Sequence, residues 1–478
     1  MYGGLLKSAS ALAIVAAAGL FGSSPARAAD LGGDCCADLE ERVAELEATT
    51  VRKGNRKVSL TISGFVSHNV MWWDDGTQSD LYIGDGGNYG SRFRFVGTAK
   101  ISPTLTAGFL YEFGANSTSI GSQNQLNNGA DLGASGPAAP GCAIENPRSN
   151  SQGCPAIRDT TVWLRHSQLG MIKIGHGSTS TDNLVLIGGS LAGLAGAGTE
   201  DVALYMGGFI LRNSTTGLGG STAVTWTNAI RAHESWDTSR RNHVLYETPT
   251  LLGFTAQASV AEDNFWDVAL RYAGEFGGFR IAGGVGYFED TNFNQNSQAL
   301  VQNGALCNNG LCDTKVKEWV ASGGVVHVPT GLFVTGAGGK REIDSLANGA
   351  PLAYLGPDLR FWYVSAGIGQ NFFGIGKTVL FGEYSESKGA MAQAAYLANG
   401  AGLGLNHCFN STALQSCDNK VTTWGIGVVQ YIDAAAMEVF ATYKNYSYSG
   451  SGFTNLSANL NAGVNDIHAV IVGTRINF

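Results

Sequence analysis

The last eleven residues of the chain, HAVIVGTRINF (His468–Phe478), alternate apolar with polar or small side chains and end on an aromatic residue. Val470, Val472 and Ile476 recur at multiples of two residues, the period at which side chains of a β-strand share one face. The same alternation begins the long patterned part of the chain in VSLTIS (Val58–Ser63). These segments are typical of strands that are apolar on one face and wetted on the other.

Sixteen segments with this alternation follow residue 56, most of them long enough to cross a bilayer as tilted strands. An even number of antiparallel strands suits a closed transmembrane β-barrel with both termini on one side. We therefore predict an all-β fold, a 16-stranded antiparallel transmembrane barrel over 57–478. The predicted strands are 57–73, 89–101, 104–114, 158–168, 171–177, 240–248, 253–261, 265–273, 279–288, 315–328, 332–341, 359–371, 377–385, 421–432, 436–446 and 466–478.

The connections between these segments alternate short and long, as they do in barrels with tight periplasmic turns and long outer loops. Candidate aromatics for a girdle at the membrane surface lie near the strand ends, at Trp72, Tyr246, Tyr272, Tyr287, Trp424, Tyr431 and Tyr443. A soluble β-sandwich or propeller is the competing architecture, but it does not explain the C-terminal strand. It also requires more charge on its polar face.

Composition supports the barrel. Charged residues make up 14% of the chain, below the roughly 25% of a soluble domain, yet mean hydropathy is only +0.01. A barrel with a lipid-facing outside and a polar inside averages its hydropathy in this way. The net charge of −8 and the lack of a dense Lys/Arg patch exclude a nucleic-acid partner.

The N-terminus predicts export. Lys7 precedes a short apolar run, and Ala26–Ala28 has the A-x-A form of a signal-peptide cleavage site, so 1–29 is a signal peptide cleaved near Ala28 or Ala29. Residues 30–56 form a short helical or coiled-coil segment, with Leu39, Val43 and Leu46 on one stripe. Whether this segment is a solvated periplasmic helix or one that assembles protomers stays open.

Six of the eight cysteines form three close pairs, each within a Gly-, Asn- or Ser-rich stretch that falls in a long outer connection. In an oxidising compartment such pairs predict local disulfides, although pairing between loops is also compatible with the sequence. A metal site requires His residues or a second Cys pair at a fixed spacing from the first. No such spacing occurs in the sequence, so we predict no metal and no cofactor. The pairs are Cys142 with Cys154, Cys307 with Cys312, and Cys408 with Cys417.

Several segments resemble porins of alphaproteobacteria, the group that contains the Brucella and Rhizobium outer-membrane porins. They are DLEERVAELEATTVRKGNRKVSLTISGFVSHNVMWWDDG (38–76), SRFRFVGTAKISPTLTAGFLYEF (91–113), RNHVLYETPTLLGF (241–254) and the C-terminal strand. The resemblance implies a homotrimeric channel in the outer membrane for passive diffusion of small hydrophilic solutes. It also implies contact with lipopolysaccharide, assembly by the barrel-assembly machinery through a signal ending at Phe478, and a third outer loop folded inward. The added cysteine pairs depart from the family pattern in the loops.

A diffusion channel selects by width and electric field. The longest connection, 178–239, is the candidate inward loop, with acids Asp182, Glu200 and Asp201 as its constriction residues. Strand parity turns the wall candidates Arg94, Arg165 and Arg241 inward, because arginine on a lipid face costs about 2–4 kcal/mol at mid-depth. Parity places Arg92 with them, and RFRFVG (92–97) resembles the porin element whose arginine lines the constriction.

Alternative functions remain at this point. A substrate-specific channel, for instance for sugars, requires aromatic side chains along the lumen. A barrel-bound enzyme requires a nucleophile beside a base. A structural or adhesive barrel would not conduct ions. The eight histidines are scattered without such a motif. Asp74, Asp75, Asp80 and Asp85 in the first outer loop lack the spacing of a calcium loop, so a solvated acidic loop is the favoured interpretation there.

Overall fold

The computed structural model is a closed barrel of sixteen long antiparallel strands, as the alternation predicts. The residues it describes are 57–86, 90–115, 119–126, 156–194, 203–218, 224–230, 240–262, 264–291, 314–345, 357–391, 409–410, 413–414, 418–452 and 460–478. The signal peptide, the segment 30–56, Glu200, Asp201 and all six paired cysteines lie outside these residues.

Each barrel strand pairs with its sequence neighbour, and the first pairs with the last to close the barrel, from Phe65 opposite Asn477 to Asp74 opposite His468. The strands are β1 (Ser59–Asp74), β2 (Ser79–Asp85), β3 (Arg92–Lys100), β4 (Leu105–Gly114), β5 (Ala156–His166), β6 (Gly170–Gly177), β7 (Arg241–Glu247), β8 (Phe254–Ala261), β9 (Phe265–Phe276), β10 (Phe279–Asp290), β11 (Thr314–His327), β12 (Leu332–Ser345), β13 (Leu359–Gln370), β14 (Thr378–Lys388), β15 (Phe409–Asn410), β16 (Ala413–Leu414), β17 (Asp418–Ile432), β18 (Met437–Ser451) and β19 (Ile467–Asn477).

Three strands are additions to the predicted set. The short β2 pairs with the outer half of β1, while β3 pairs with its periplasmic half. Residues 74–88 were expected to be a loop, but Leu81 and Ile83 continue the exposed apolar face of β1 around Tyr82, which is buried. The other two, β15 and β16, form a small hairpin in an outer loop.

Several strands run beyond their predicted outer ends, notably β12, β14 and β18. The alternation of apolar and polar residues stops where the outward residues become charged, as at Lys340 and Glu342 of β12. Backbone pairing continues there, because ladder hydrogen bonds do not depend on whether the outward side chain meets lipid or water.

The outer wall is apolar along most of its described length, with Ile62, Val162, Ile174 and Ile426 all at least half exposed. Trp72, Tyr246 and Trp424 are also exposed, as a girdle requires. Tyr431 is an exception to the predicted girdle. It lies seven residues from the outward Trp424 in the same strand, so alternation turns it to the interior, where its hydroxyl donates to the carbonyl of Gly193 at 2.8 Å.

Short helices occur between the strands. They are the 3-10 helices Ile120–Ser122, Leu184–Leu186 and Asp433–Ala435 and the α-helices Ile187–Ala192, Ala203–Met206 and Trp226–Ile230. Among the residues described, no helix has the length and apolarity to cross a membrane.

Candidate functional site

Three arginines converge on one carboxylate on the inner wall of β3–β5. The Glu112 Oε1 atom lies 3.0 Å from Arg158 Nε and 3.5 Å from Arg92 Nη1, and its Oε2 atom lies 3.3 Å from Arg94 Nη2. Arg240, next to the start of β7, interacts electrostatically with the same carboxylate and with Arg92 and Arg158. We call these four arginines the arginine cluster.

A β-bulge brings Arg158 into this cluster. Glu112 is opposite Asp159 whereas Phe113 is opposite Ile157, so Arg158 is an extra residue in β5. Strict alternation from the lumenal Arg165 would place Arg158 on the outer face. A bulge re-aims a side chain in this way, and no feature of the sequence around Arg158 marks one, so this residue and Glu112 were missed.

The cluster carries a strong local positive charge. Four guanidinium groups against the Glu112 carboxylate leave a formal excess of three positive charges, or two when Asp182, which interacts with Arg158, is included. Asp159, opposite Glu112, is balanced by Lys173 and leaves this excess unchanged. The Arg94 side chain keeps 27% of its surface accessible. Charges on a low-dielectric wall focus the field in the adjacent water.

The other predicted wall residues lie elsewhere on the inner surface. Arg165 is near the periplasmic end of β5, where its Nη2 atom is 3.2 Å from Glu247 Oε1. Arg241 is near the outer end of β7, where its Nη2 atom is 2.7 Å from Asp290 Oδ2. The structure therefore brings Arg92 and Arg94 together, and places Arg165 and Arg241 in separate ion pairs.

The inward loop is fastened where it leaves β6. The backbone N–H and the hydroxyl of Thr181 each donate to Asp267 Oδ2 at 2.8 Å. Arg271 Nη2 donates to the carbonyls of Ser180 at 2.6 Å and Asp182 at 3.2 Å. Asp182, one of the predicted constriction acids, is 8% exposed and lies in this fastened turn.

Glycines of the wall make room for the next part of the loop. A Cβ atom at Gly284 would lie 2.7 Å from both Ile187 Cδ1 and Leu184 Cδ2. The Gly188 backbone in turn approaches Gly324, with 3.4 Å between the Gly188 Cα atom and the position a Gly324 Cβ would take. Glycines of β10 and β11 thus form a flat part of the wall on which Ile187–Ala192 packs.

The loop then continues to the wall formed by β14 and β17. Lys377 Nζ donates to the carbonyl of Ala192 at 2.8 Å, beside the Tyr431 contact with Gly193. Its later part packs as an apolar cluster inside the barrel, with Phe209 5.0 Å from Trp73 and Trp226 6.1 Å from Tyr446 between ring centroids. The described parts of the loop therefore pack on the inner surface from β9 round to β2, and the turn at the start of the loop comes close to the arginine cluster, where Asp182 interacts with Arg158.

The first outer loop is only partly the solvated acidic loop that the sequence favours, since Asp80 is exposed whereas Asp75 and Asp85 are buried. Asp75 is buried, and its Oδ2 atom accepts from Arg212 Nε at 2.7 Å. Asp85 is also buried and accepts from the Ser91 hydroxyl at 2.8 Å. The Asp75 carboxylate therefore pairs with a cation, and the Asp85 carboxylate accepts a hydrogen bond. Within the described residues, no group of three or more His, Cys, Asp or Glu side chains is arranged to hold a metal ion.

Phe478 directly follows the closing strand β19. Its backbone N–H donates to the Gly64 carbonyl at 3.0 Å and its carbonyl accepts from Gly64 at 2.9 Å. The side chain is 62% exposed on the outside of the barrel. The last residue is therefore paired through its backbone while its ring stays available.

Comparisons with known proteins agree with this architecture. Residues 10–465 match the family described as Gram-negative porin, while a comparison with curated proteins found no match. Among solved structures, OprB of Pseudomonas putida is 10% identical, with a TM-score of 0.50 over 92% of this chain and 97% of its own. An anion-selective porin from Comamonas acidovorans is 16% identical, with a TM-score of 0.49 over 88% of this chain and 100% of its own.

Proposed function

The chain belongs to the Gram-negative porin family, and from this premise we propose that the arginine cluster and the inward loop form the constriction of its channel and make it prefer small anions. The family and the barrel establish an outer-membrane channel for passive diffusion of small hydrophilic solutes.

The observation that carries the proposal is the charge imbalance at Glu112. One carboxylate forms ion pairs with three guanidinium groups within 3.5 Å, so the cluster keeps a net positive charge toward the lumen. A charged ring or wall at the narrowest part of a channel selects ions of the opposite sign. The overall charge of −8 does not oppose this, because charges beyond about a Debye length from the ion path are screened.

The testing experiment is the reversal potential of the purified trimer or monomer in a planar bilayer under a KCl gradient. We expect a chloride-preferring potential. A potential of the opposite sign would mean that acids such as Glu200 and Asp201, the remaining constriction candidates with Asp182, outweigh the arginines. Arg165 and Arg241 enter this proposal as secondary wall charges, at the periplasmic and outer ends of the lumen respectively.

We further propose that the protein is a homotrimer of the alphaproteobacterial type, on the resemblance of residues 38–76, 91–113 and 241–254 to those porins. Conductance steps in groups of three, together with the mass of the detergent complex, test the trimer. The segment 30–56 is proposed to be the short helix on the periplasmic side. Its deletion, followed by the same mass measurement, shows whether it assembles protomers.

Processing and membrane contacts complete the proposal. Residues 1–29 are removed near Ala28 or Ala29, and the cysteine pairs 142/154, 307/312 and 408/417 form local disulfides; intact mass and non-reducing peptide mapping test both. Phe478 serves as the C-terminal signal for the barrel-assembly machinery, which its exposed ring supports. The outward charges at the outer strand ends, such as Lys340 and Glu342, contact lipopolysaccharide.

A further inference from the structure

An apolar surface lies on the lumenal wall just below the arginine cluster. Val96 of β3 and Leu110 of β4 are directly opposite each other, two residues below the Arg94–Glu112 pair. Trp163 of β5 is opposite Gly108, two residues lower again. All three apolar side chains are partly exposed, and parity places them on the inner face, since Val162 and Leu164 on either side of Trp163 are exposed on the outer wall.

The absence of a side chain at Gly108 makes room for the indole ring of Trp163. A Cβ atom at position 108 would lie 2.5 Å from Trp163 Cε2, so the ring rests directly against the backbone of β4. The ring therefore presents a broad side to the lumen at a fixed height. Two residues of a strand span about 7 Å, so Leu110 lies about 7 Å, and Trp163 about 13 Å, below the arginine level.

A second basic level lies below this apolar surface. Arg165 of β5 and Lys100 of β3 both flank Thr106 of β4 and are exposed. A solute moving along this wall therefore meets guanidinium groups, then an apolar surface with an indole, then basic groups again. This order suits a small organic anion whose charged end is followed by an apolar ring.

We infer that the wall of β3–β5 is a low-affinity binding site for aromatic carboxylates. The carboxylate is bound by the arginine cluster, and the ring packs on Leu110 and Trp163, where aromatic contact adds to the burial of apolar surface. Binding is weak and saturable, so such anions are concentrated at the constriction without being retained. The inference rests on the proposed anion-preferring constriction and adds to it the class of solute.

The test measures block of the chloride current in a planar bilayer by 3-phenylpropionate, with propionate and 3-phenylpropan-1-ol as probes that lack the ring or the charge. We expect half-block by 3-phenylpropionate at a concentration about fivefold or more below that of either comparison compound. Trp163→Ala should raise the half-block concentration about three- to tenfold. Trp319→Ala, which removes a tryptophan that is 57% exposed on the outer wall, should leave it unchanged.

The measurements distinguish failure of the aromatic carboxylate site from failure of the anion-preferring constriction. A chloride-preferring channel that 3-phenylpropionate blocks no better than propionate overturns the aromatic site and leaves the proposed constriction standing. A potassium-preferring channel overturns both. Should Trp163→Ala fail to fold, Leu110→Asn removes apolar surface from the same site, and an unchanged half-block concentration in that variant would also overturn the inference.

Discussion

Replacement of Arg158 by glutamine tests whether the arginine cluster controls ion preference. An ion passing about 6 Å from this guanidinium group interacts with it by about 0.7 kcal/mol in water, and screening at 0.1 M salt reduces this to roughly 0.4 kcal/mol. Anions lose this attraction while cations lose an equal repulsion. The difference between them therefore changes by about 0.8 kcal/mol, which lowers the chloride-to-potassium permeability ratio about fourfold.

The assay is the reversal potential of single channels under a KCl gradient, with two companion variants. Glu112→Gln removes the carboxylate that three arginines share, so it should raise the permeability ratio by a similar factor. Arg360→Gln makes the same charge change at a residue whose side chain is 64% exposed at the outer end of β13, and should have no effect. Equal reversal potentials for Arg158→Gln, Arg360→Gln and the parent channel would refute the assignment of selectivity to the cluster.

Three further predictions concern screening, loop anchoring and stability. Raising the salt from 0.1 M to 1 M shortens the Debye length from about 10 Å to about 3 Å, so the Arg158→Gln effect on the permeability ratio should nearly vanish; persistence at full size would contradict an electrostatic cause. Asp267→Ala removes the two hydrogen bonds that hold Thr181, each worth about 1.5–3 kcal/mol, and should therefore increase open-channel current noise. Asp344→Ala, at a residue on the outer face, is the control and should leave the noise unchanged. Glu383→Gln removes the carboxylate that lies 2.9 Å from the buried Lys444 ammonium group, and should lower the free energy of unfolding in detergent by about 3–5 kcal/mol. Lys420→Gln breaks an exposed 3.9 Å ion pair and should change the free energy of unfolding by less than about 1 kcal/mol.

Local patterns were enough to predict the barrel. Alternation along VSLTIS and the C-terminal strand turns successive side chains to opposite faces whatever else the chain does. The number of long strands and the inward direction of Arg92 and Arg94 follow from that rule alone. The rule does not predict where strands end outside the membrane or where Ser79–Asp85 pairs with β1, because backbone pairing there is independent of side-chain polarity.

The site depended on contacts between residues far apart in the chain. Arg158 reaches Glu112 because one extra residue in β5 reverses its parity, and nothing in its neighbours announces the bulge. Alternation already turns Tyr431 to the face opposite Trp424, but only the structure shows that its hydroxyl donates to the Gly193 carbonyl, which lies 238 residues away in sequence. The packing of Leu184 and Ile187 on Gly284 of β10 likewise joins segments far apart in the chain.

The sequence by itself determined that this chain is a membrane barrel with a wetted interior, since a period of two and scarce charge are properties of the chain alone. Only the tertiary structure decided which arginines act together, how the described parts of the long loop lie in the lumen, and that Trp163 rests on the backbone at Gly108 below the arginine cluster. Those outcomes depend on register, bulges and close approach of distant segments, and such geometry arises only when the barrel has closed around its loop.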